Sequence, residues 1–246
     1  YLSPILRRYI TKIENELEGV PIYFMQSNGG LTNATHFKGK DAILSGPAGG
    51  IVGAVKTATL SGYDKLICFD MGGTSTDVSH YNGAFERTYE TVLAGVSMRT
   101  PMMNIHTVAA GGGSILHYDG NRFRVGPDSA GAEPGPCCYR NDGPLTVTDC
   151  NLLLGYINPS YFPATFGKTA AQSLDIKSVK TKFIKLGARI SSHKSIEDIA
   201  EGFLKVAIEN MATAIKKIST EKGYDVRKYT LVSFGGAGGQ HACKVA

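Results

Sequence analysis

The spacing of apolar residues along the chain predicts two amphipathic helices. Over residues 3–18 the apolar positions recur at helical intervals, and Gly19 and Pro21 follow as a stop signal. The same spacing returns over residues 195–221, where acidic residues open the segment and lysines close it, as the helix dipole favours. The residues expected to face inward from this second helix are Ile196, Ile199, Phe203, Val206, Ala207, Met211, Ile215 and Ile218. We assign that face to core packing.

Short apolar runs that end in turn residues predict buried strands, at 21–25, 66–69 and 229–234. Small residues over 45–60 predict a helix, in which three glycines permit close packing on a sheet: Gly49, Gly50 and Gly53. The dipeptide Asn82-Gly83 predicts a hairpin turn between strands at 78–81 and 84–89. Residues 101–168 are rich in Gly and Pro, and we expect long ordered loops there that cover a cleft.

The strongest chemical signal follows the second of these strands. The strand ends on Asp70, the glycines Gly72 and Gly73 come next, and hydroxyl residues lead to a second carboxylate, Asp77. Glycine lets backbone N–H groups approach a ligand, and N–H groups with hydroxyls suit phosphate oxygens. The carboxylates would repel phosphate unless a divalent cation lay between them, and Mg²⁺ is the usual bridge. The pattern predicts an ATP phosphate and magnesium loop; the alternative is a β-hairpin turn whose carboxylates are solvated.

A second glycine cluster, GGAGG at 235–239, follows the strand at 229–234 and precedes a helix opening at 240–246. Backbone without side chains beside a helix start can lie flat against a nucleotide. A dinucleotide fingerprint and a plain tight turn are the alternatives, and the spacing is poor for the first. Together with the Asp70 loop, the cluster favours a split nucleotide site. His241 then lies near the nucleotide or serves the helix opening, and both interpretations remain open.

These segments carry a family resemblance. FDMGGTSTD at 69–77 resembles a phosphate motif of the actin, Hsp70 and sugar-kinase ATPase superfamily, and FGGAGG at 234–239 resembles its adenosine motif. Further segments resemble the hydantoinase A and 5-oxoprolinase branch, and they occur in the family's order: LSGPAGG at 44–50, NIHTVAAGGGSI at 104–115, VGPDSAGAEPGPCCY at 125–139 and TVTDCNL at 146–152.

The resemblance implies an α/β fold of the ribonuclease-H-like ATPase type. Family members begin with an earlier Asp-x-Gly-Gly-Thr loop that this sequence lacks. We therefore expect an incomplete fold without the N-terminal phosphate-loop half, and residues 1–246 to form one ATPase core segment of a larger multidomain enzyme.

The resemblance also implies an activity: ATP-dependent hydrolysis of a cyclic amide, with 5-oxoproline or a hydantoin as substrate. Phosphorylation of the lactam carbonyl oxygen would make an imidate that water can attack. A component of an ATP-dependent ketone carboxylase, for acetone or acetophenone, is one alternative. A non-enzymatic actin-like or Hsp70-like ATP-binding module is another. The expected cofactors are ATP and Mg²⁺, and the expected partner is a hydantoinase B-type domain or subunit, within a full-length homo-oligomer.

The site residues follow by position in the motifs. The candidate catalytic residues are Asp70, Asp77 and His106, with Asp70 holding Mg²⁺ through water. The candidate phosphate-binding residues are Gly72, Gly73, Thr74, Ser75 and Thr76, and the candidate adenosine-binding residues are Gly235, Gly236, Ala237, Gly238 and Gly239. His106 either faces the substrate or a metal, or satisfies backbone groups. Residues 111–114 either present N–H donors to an anion or form a flexible turn. For Asp149 we favour capping of a helix that starts near Asn151 over catalysis.

The composition of the chain argues against several other classes of protein. The net charge is +5, the basic residues are scattered, and tryptophan is absent, so the sequence gives no sign of a nucleic-acid surface. No stretch approaches the roughly 18 apolar residues of a membrane span. The chain has 5 cysteines with no Cys-x-x-Cys spacing, for which we expect reduced thiols and a cytoplasmic location.

Overall fold

A computed structural model describes residues 2–93, 95–190 and 194–246. The helices, in chain order, are α1 (Leu2–Glu16), α2 (Ser45–Leu60), α3 (Val147–Leu153), α4 (Ile176–Ile190), α5 (Ile196–Ile218) and α6 (Ala242–Val245). The strands are β1 (Tyr23–Met25), β2 (Leu31–Asn33), β3 (Lys65–Met71), β4 (Thr76–Asn82), β5 (Arg87–Leu93), β6 (Val96–Met103), β7 (His106–Val108), β8 (Ser114–Tyr118), β9 (Phe123–Ser129) and β10 (Thr230–Phe234).

The strands form a four-stranded sheet in the order β10-β3-β4-β7, and the pairs β1-β2, β5-β6 and β8-β9. The chain divides into two compact units. The first contains the described residues up to Cys68, with Ser79–His106 and Asp225–Val232. The second contains Phe69–Val78, Thr107–Tyr224 and Ser233–Ala246. Among the described residues, no helix combines the length and the apolar character that crossing a membrane requires.

In the first unit, α2 begins and ends where the sequence predicted and packs against β1. A Cβ added to Gly49 would lie 3.4 Å from Met25 Cγ, so this glycine does allow a close approach. A Cβ added to Gly53 would meet nothing within 4 Å, so the prediction that this glycine serves packing is wrong. The buried face of α2 is made instead by Ala48, Ile51, Val55 and Ala58.

The predicted turn after β4 is present, because Gly83 has a φ of +80°. The predicted hairpin is wrong in its partner: only an isolated bridge joins Tyr81 to Phe85. The following strand, β5, begins at Arg87 and pairs with β6 in antiparallel register, from Arg87 opposite Met103 to Leu93 opposite Val96. A turn signal fixes where the chain reverses but not which strand the next segment joins.

In the second unit, α5 packs against α3, α4 and β9. Ser195 caps the helix: its Oγ accepts from the Asp198 N–H at 3.1 Å, and its own N–H donates to Asp198 Oδ2 at 3.0 Å. The buried residues are Ile199, Ala200, Phe203, Leu204, Ala207, Met211, Ala214 and Ile218. The predicted face is confirmed in its centre, but Ile196, Val206 and Ile215 are only half-buried. Because α5 contacts several elements, its buried face is wider than one stripe and includes small residues.

The prediction of long loops over 101–168 is wrong in part. The segment contains the antiparallel pair β8-β9, with Ser114 opposite Ser129 and Tyr118 opposite Phe123, and it also contains α3. Gly126 and Pro127 lie inside β9 and interrupt the strand pattern in the sequence. Helix α4 was not predicted from the sequence, although Val179 and Phe183 bury one face of it.

Candidate nucleotide site

Two carboxylates of the second unit occupy the strand ends on either side of the 72–75 loop. Asp70 lies near the end of β3, and Asp77 near the start of β4. Burial raises the pKa of Asp70, and the negative charge of Asp77 raises it further. The Thr107 hydroxyl donates to Asp77 Oδ1 and orients that carboxylate. A cation between the carboxylates would relieve their repulsion, so the pair fits the predicted Mg²⁺.

The loop between the carboxylates is short and open. The Gly72 N–H donates to the Ser75 carbonyl at 3.1 Å, which closes the turn. Gly73 and Thr74 are exposed at its tip. Within the part of the chain that the structure describes, their N–H groups donate to no carbonyl. The tip therefore presents backbone donors beside two carboxylates, as the binding of a phosphate and its metal requires.

Thr76 differs from the other predicted phosphate ligands. Its side chain is fully buried, and its hydroxyl donates to the Ala110 carbonyl. The structure thus directs this hydroxyl into the protein and away from the loop tip. Thr76 anchors the start of β4, and Ser75 and Thr74 are left as the hydroxyl residues near the loop surface.

The glycine run 111–113 is hydrogen-bonded to the predicted phosphate loop. The Gly112 N–H donates to the Gly72 carbonyl at 3.1 Å, and the Gly113 N–H to the Gly73 carbonyl at 2.6 Å. The Gly111 N–H donates to Ser114 Oγ at 2.9 Å. Of the two interpretations of this run, the one in which it offers free N–H donors to an anion is therefore wrong. A Cβ on Gly111 would lie 2.6 Å from the Thr74 carbonyl carbon, so close backbone packing explains the glycine.

The second glycine cluster lies against Asp70. Gly235 follows β10 with a φ of +84°, and a Cβ there would overlap Asp70 Oδ1. The Ala237 N–H donates to the Met71 carbonyl at 2.9 Å. Gly236 and Gly239 are exposed, whereas Ala237 and Gly238 are buried. The structure thus brings the predicted phosphate and adenosine segments together, although they are far apart in sequence.

Asp149 contributes to capping a helix, as we favoured, but this helix starts earlier in the chain than we expected. The helix starts at Val147 and not near Asn151, and Asp149 closes a capping box with Thr146. Its carboxylate accepts from the N–H groups of Cys137 (3.1 Å), Cys138 (2.9 Å) and Thr146 (2.8 Å), and from the Thr146 hydroxyl (3.0 Å). Burial raises the pKa of Asp149, and these donors oppose that shift.

His106 begins β7 and is half-buried. It belongs to the first unit, whereas Thr107 belongs to the second. Its assignment as a catalytic residue stays a prediction. Among the described residues, no cluster of three or more His, Cys, Asp or Glu side chains could enclose a metal. This is compatible with Mg²⁺, which is commonly held by one or two carboxylates and keeps several waters.

Known proteins resemble the chain over its whole length. The 5-oxoprolinase of Saccharomyces cerevisiae is 49% identical over 259 residues, which cover 100% of this chain and 20% of that protein. Caprolactamase subunit alpha of Pseudomonas jessenii is 36% identical over 258 residues, which cover 100% of this chain and 36% of the subunit.

Solved structures share the fold. The crystal structure of the ATP-dependent caprolactamase from Pseudomonas jessenii superposes with a TM-score of 0.82 at 35% identity, covering 100% of this chain and 36% of that one. A nucleotide-free acetone carboxylase gives a TM-score of 0.81 at 28% identity, covering 97% and 34%. These similarities confirm the predicted α/β ATPase-type fold.

The family follows from a match along the entire sequence. A family model described as hydantoinase/oxoprolinase matches residues 1–246. The chain spans only 20% of the length of the yeast 5-oxoprolinase, so the match concerns one part of such proteins. The chain belongs to the hydantoinase/oxoprolinase family.

Proposed function

We propose that this chain forms the nucleotide-binding and phosphoryl-transfer part of an ATP-dependent cyclic-amide hydrolase, a 5-oxoprolinase in the first instance. The reaction would convert 5-oxo-L-proline, ATP and water into L-glutamate, ADP and phosphate. The observation that supports the proposal is the contact between the Asp70 strand end and the Gly235 turn, because it joins the two segments that the proposal assigns to phosphate and adenosine. Relatives named 5-oxoprolinase, such as the yeast protein, support the substrate.

The residues of the loop would act mainly by position and charge, as phosphoryl transfer requires. The N–H groups of Gly73 and Thr74 would bind phosphate oxygens, with the Ser75 hydroxyl beside them. Asp70 and Asp77 would hold Mg²⁺ through water. When bound, the metal would neutralise charge on the phosphates. The backbone of residues 235–239 would lie against the adenosine.

The chemistry that this site would perform overcomes amide resonance. The lactam carbonyl oxygen attacks the γ-phosphorus, the bond from that phosphorus to the bridging oxygen breaks, and ADP leaves. The phosphorylated lactam then has an electrophilic ring carbon. Water adds there, the ring C–N bond breaks as the hydroxyl proton passes to the nitrogen, and an acyl phosphate and a free amine result. A second water attacks the acyl carbon, the bond from that carbon to the phosphate oxygen breaks, and the carboxylate and phosphate are released. His106 is the candidate for contact with the substrate in this sequence of steps.

The ring-opening step would need a partner. We propose a hydantoinase B-type domain or subunit, since one relative is named as the alpha subunit of caprolactamase. A cytoplasmic location and a homo-oligomeric full-length protein stay predictions.

A second candidate is a component of an ATP-dependent ketone carboxylase. The similarity to a nucleotide-free acetone carboxylase favours it. The same phosphate and adenosine segments would serve both reactions, because each activates a carbonyl compound with ATP. The difference would lie in the substrate.

Substrate-stimulated ATP hydrolysis by the protein in its full natural length tests the proposal. We expect stimulation by 5-oxoproline with Mg²⁺ present, and none by acetone with bicarbonate. Stimulation by a hydantoin alone would keep the reaction class and change the substrate. Stimulation by acetone and bicarbonate alone would select the carboxylase.

A matched pair of variants tests the site. Asp70→Asn should reduce ATP hydrolysis about 10²-fold or more, because it removes a charge that holds the metal. The control, Asp64→Asn, changes an exposed carboxylate of the first unit and should leave the rate unaltered. Near-normal activity of Asp70→Asn would make Asp70 a structural strand-end residue and remove the site.

A further inference from the structure

Two buried polar side chains, Asn151 and His241, are hydrogen-bonded to each other close to the end of the Gly235–Gly239 segment. Asn151 belongs to α3 and His241 precedes α6, and both side chains are fully buried. Asn151 Nδ2 donates to His241 Nε2 at 3.0 Å and to Gln240 Oε1 at 2.6 Å. Since an amide nitrogen only donates, His241 Nε2 is the acceptor and the ring proton sits on Nδ1. Burial and the neighbouring Lys244 lower the pKa of His241 to about 4, which keeps the ring neutral.

This pair links the Gly235–Gly239 segment to α3, which is also hydrogen-bonded to the glycine run 111–113. From α3, the Thr148 N–H and hydroxyl both donate to the Gly112 carbonyl at 2.8 Å. The Gly112 N–H in turn donates to the Gly72 carbonyl of the phosphate loop. At the other end, the His241 N–H donates to the Gly238 carbonyl at 3.1 Å. The two glycine segments are thus joined through α3 as well as by their direct contact.

Burying this polar pair lowers the stability of the protein. Asn151 Oδ1 and His241 Nδ1 are buried and have no hydrogen-bond partner among the described residues. A buried polar atom without a partner is destabilising, and an apolar pair of similar size would avoid that cost. The pair is therefore explained better by the position in which it holds the Gly235–Gly239 segment than by any gain in stability.

We propose that Asn151 and His241 are positioning residues, which hold the Gly235–Gly239 segment in register with the phosphate loop so that one ATP molecule can bind both. The inference rests on the proposed ATP site and assigns the pair no contact with substrate. Its consequence is specific: loss of the pair weakens ATP binding while the phosphoryl-transfer residues stay in place.

The test compares His241→Leu with His241→Gln in the full-length protein. Leucine removes the acceptor for Asn151 Nδ2, whereas the glutamine side-chain oxygen can take the place of Nε2. We expect His241→Leu to raise the KM for ATP and the Kd for a non-hydrolysable ATP analogue about tenfold, with a smaller change in kcat. His241→Gln should restore most of the affinity.

Phe183→Leu is the control for a general loss of stability, because Phe183 is buried in α4 of the same unit. It should lower the Tm and leave the KM for ATP unchanged. An unaltered Kd in His241→Leu, or an equal rise in Phe183→Leu, would overturn the inference.

The half-buried Gln240 supplies a second variant if His241→Leu does not fold. Gln240→Ala removes the other acceptor for Asn151 and should also raise the KM for ATP, whereas an unchanged KM would count against the inference. The wild-type protein separates this inference from the proposed function. If it binds no ATP analogue, the proposed function fails; if it binds and the variants bind equally well, only the positioning role fails.

Discussion

Asp70 Oδ1 lies so close to Gly235 that no side chain fits at the glycine position. The two residues are separated by most of the chain, yet β3 and β10 are neighbours in one sheet. A carboxylate and a side-chain-free turn therefore meet where two strands end. Because ligands in α/β proteins gather at strand ends, this contact is the geometric basis of the proposed ATP site.

Gly235→Ala should abolish ATP binding and destabilise the protein. The added Cβ would overlap Asp70 Oδ1 and the Met71 carbonyl, and the φ of +84° is strained for alanine. We expect a loss of about 1–3 kcal/mol in stability and no detectable affinity for an ATP analogue. Titration calorimetry with the ATP analogue measures the affinity, and thermal unfolding measures the stability.

The control for this variant is Gly53→Ala, at an open position inside α2. It should stabilise the protein by about 0.5–1 kcal/mol, because alanine is the better helix former. A Gly235→Ala protein that binds nucleotide like the wild type would show that the turn can move away from Asp70.

Asp77→Asn should shift the pH profile of ATP hydrolysis toward acid. Burial raises the pKa of Asp70, and the negative charge of Asp77 raises it further. Protonated Asp70 cannot hold a cation, so activity rises with pH as this carboxyl ionises. Removing the Asp77 charge lets Asp70 ionise at lower pH. The acid limb of kcat/KM, normalised to its own maximum, measures the shift. An acid limb at the wild-type pH would mean that another group controls it.

The local motifs of the site were predictable, because each depends on residues adjacent in sequence. An apolar run ending on Asp70 and opening onto glycines identifies a strand and a ligand loop without knowledge of any partner. The same holds for the turn at Gly235. Their meeting was predictable only by assuming one sheet for both strands, and the sheet order agrees with that assumption.

The remaining contacts depend on partners that local sequence does not name. Thr76 fits a phosphate-binding run by type, but its hydroxyl turns inward to the Ala110 carbonyl. The glycines at 111–113 fit an anion-binding turn, but their donors serve the neighbouring loop. Asn151 and His241 are 90 positions apart, and nothing in either neighbourhood signals the other.

Asp149→Ala should destabilise the second unit strongly. The carboxylate accepts from three backbone N–H groups and one hydroxyl, and removing it would leave those donors buried and unpaired. We expect a loss of about 3–5 kcal/mol, by analogy with breaking other buried charged networks. The lowered Tm of the full-length protein measures it.

Ser195→Ala provides the comparison, since Ser195 caps α5 at an exposed position. Loss of that cap should cost only about 1 kcal/mol. Equal losses in the two variants would mean that the turn at 137–139 does not depend on Asp149.

His241 should make stability fall as the pH drops below 6.5. The folded-state pKa of about 4 lies below the ordinary histidine value of 6.5, so the unfolded chain takes up a proton at a pH where the folded protein does not. Above pH 6.5 the ring is neutral in both states and His241 does not reduce stability. As the pH falls toward 4, the free energy of unfolding decreases by up to about 3 kcal/mol. His241→Gln has no proton to take up and should show a shallower decline in Tm between pH 7 and pH 4.5. The difference between the two curves isolates His241 from buried carboxyls such as Asp149, which titrate in both proteins. Parallel curves would mean that His241 takes up its proton as readily in the folded protein as in the unfolded chain, so burial does not lower its pKa.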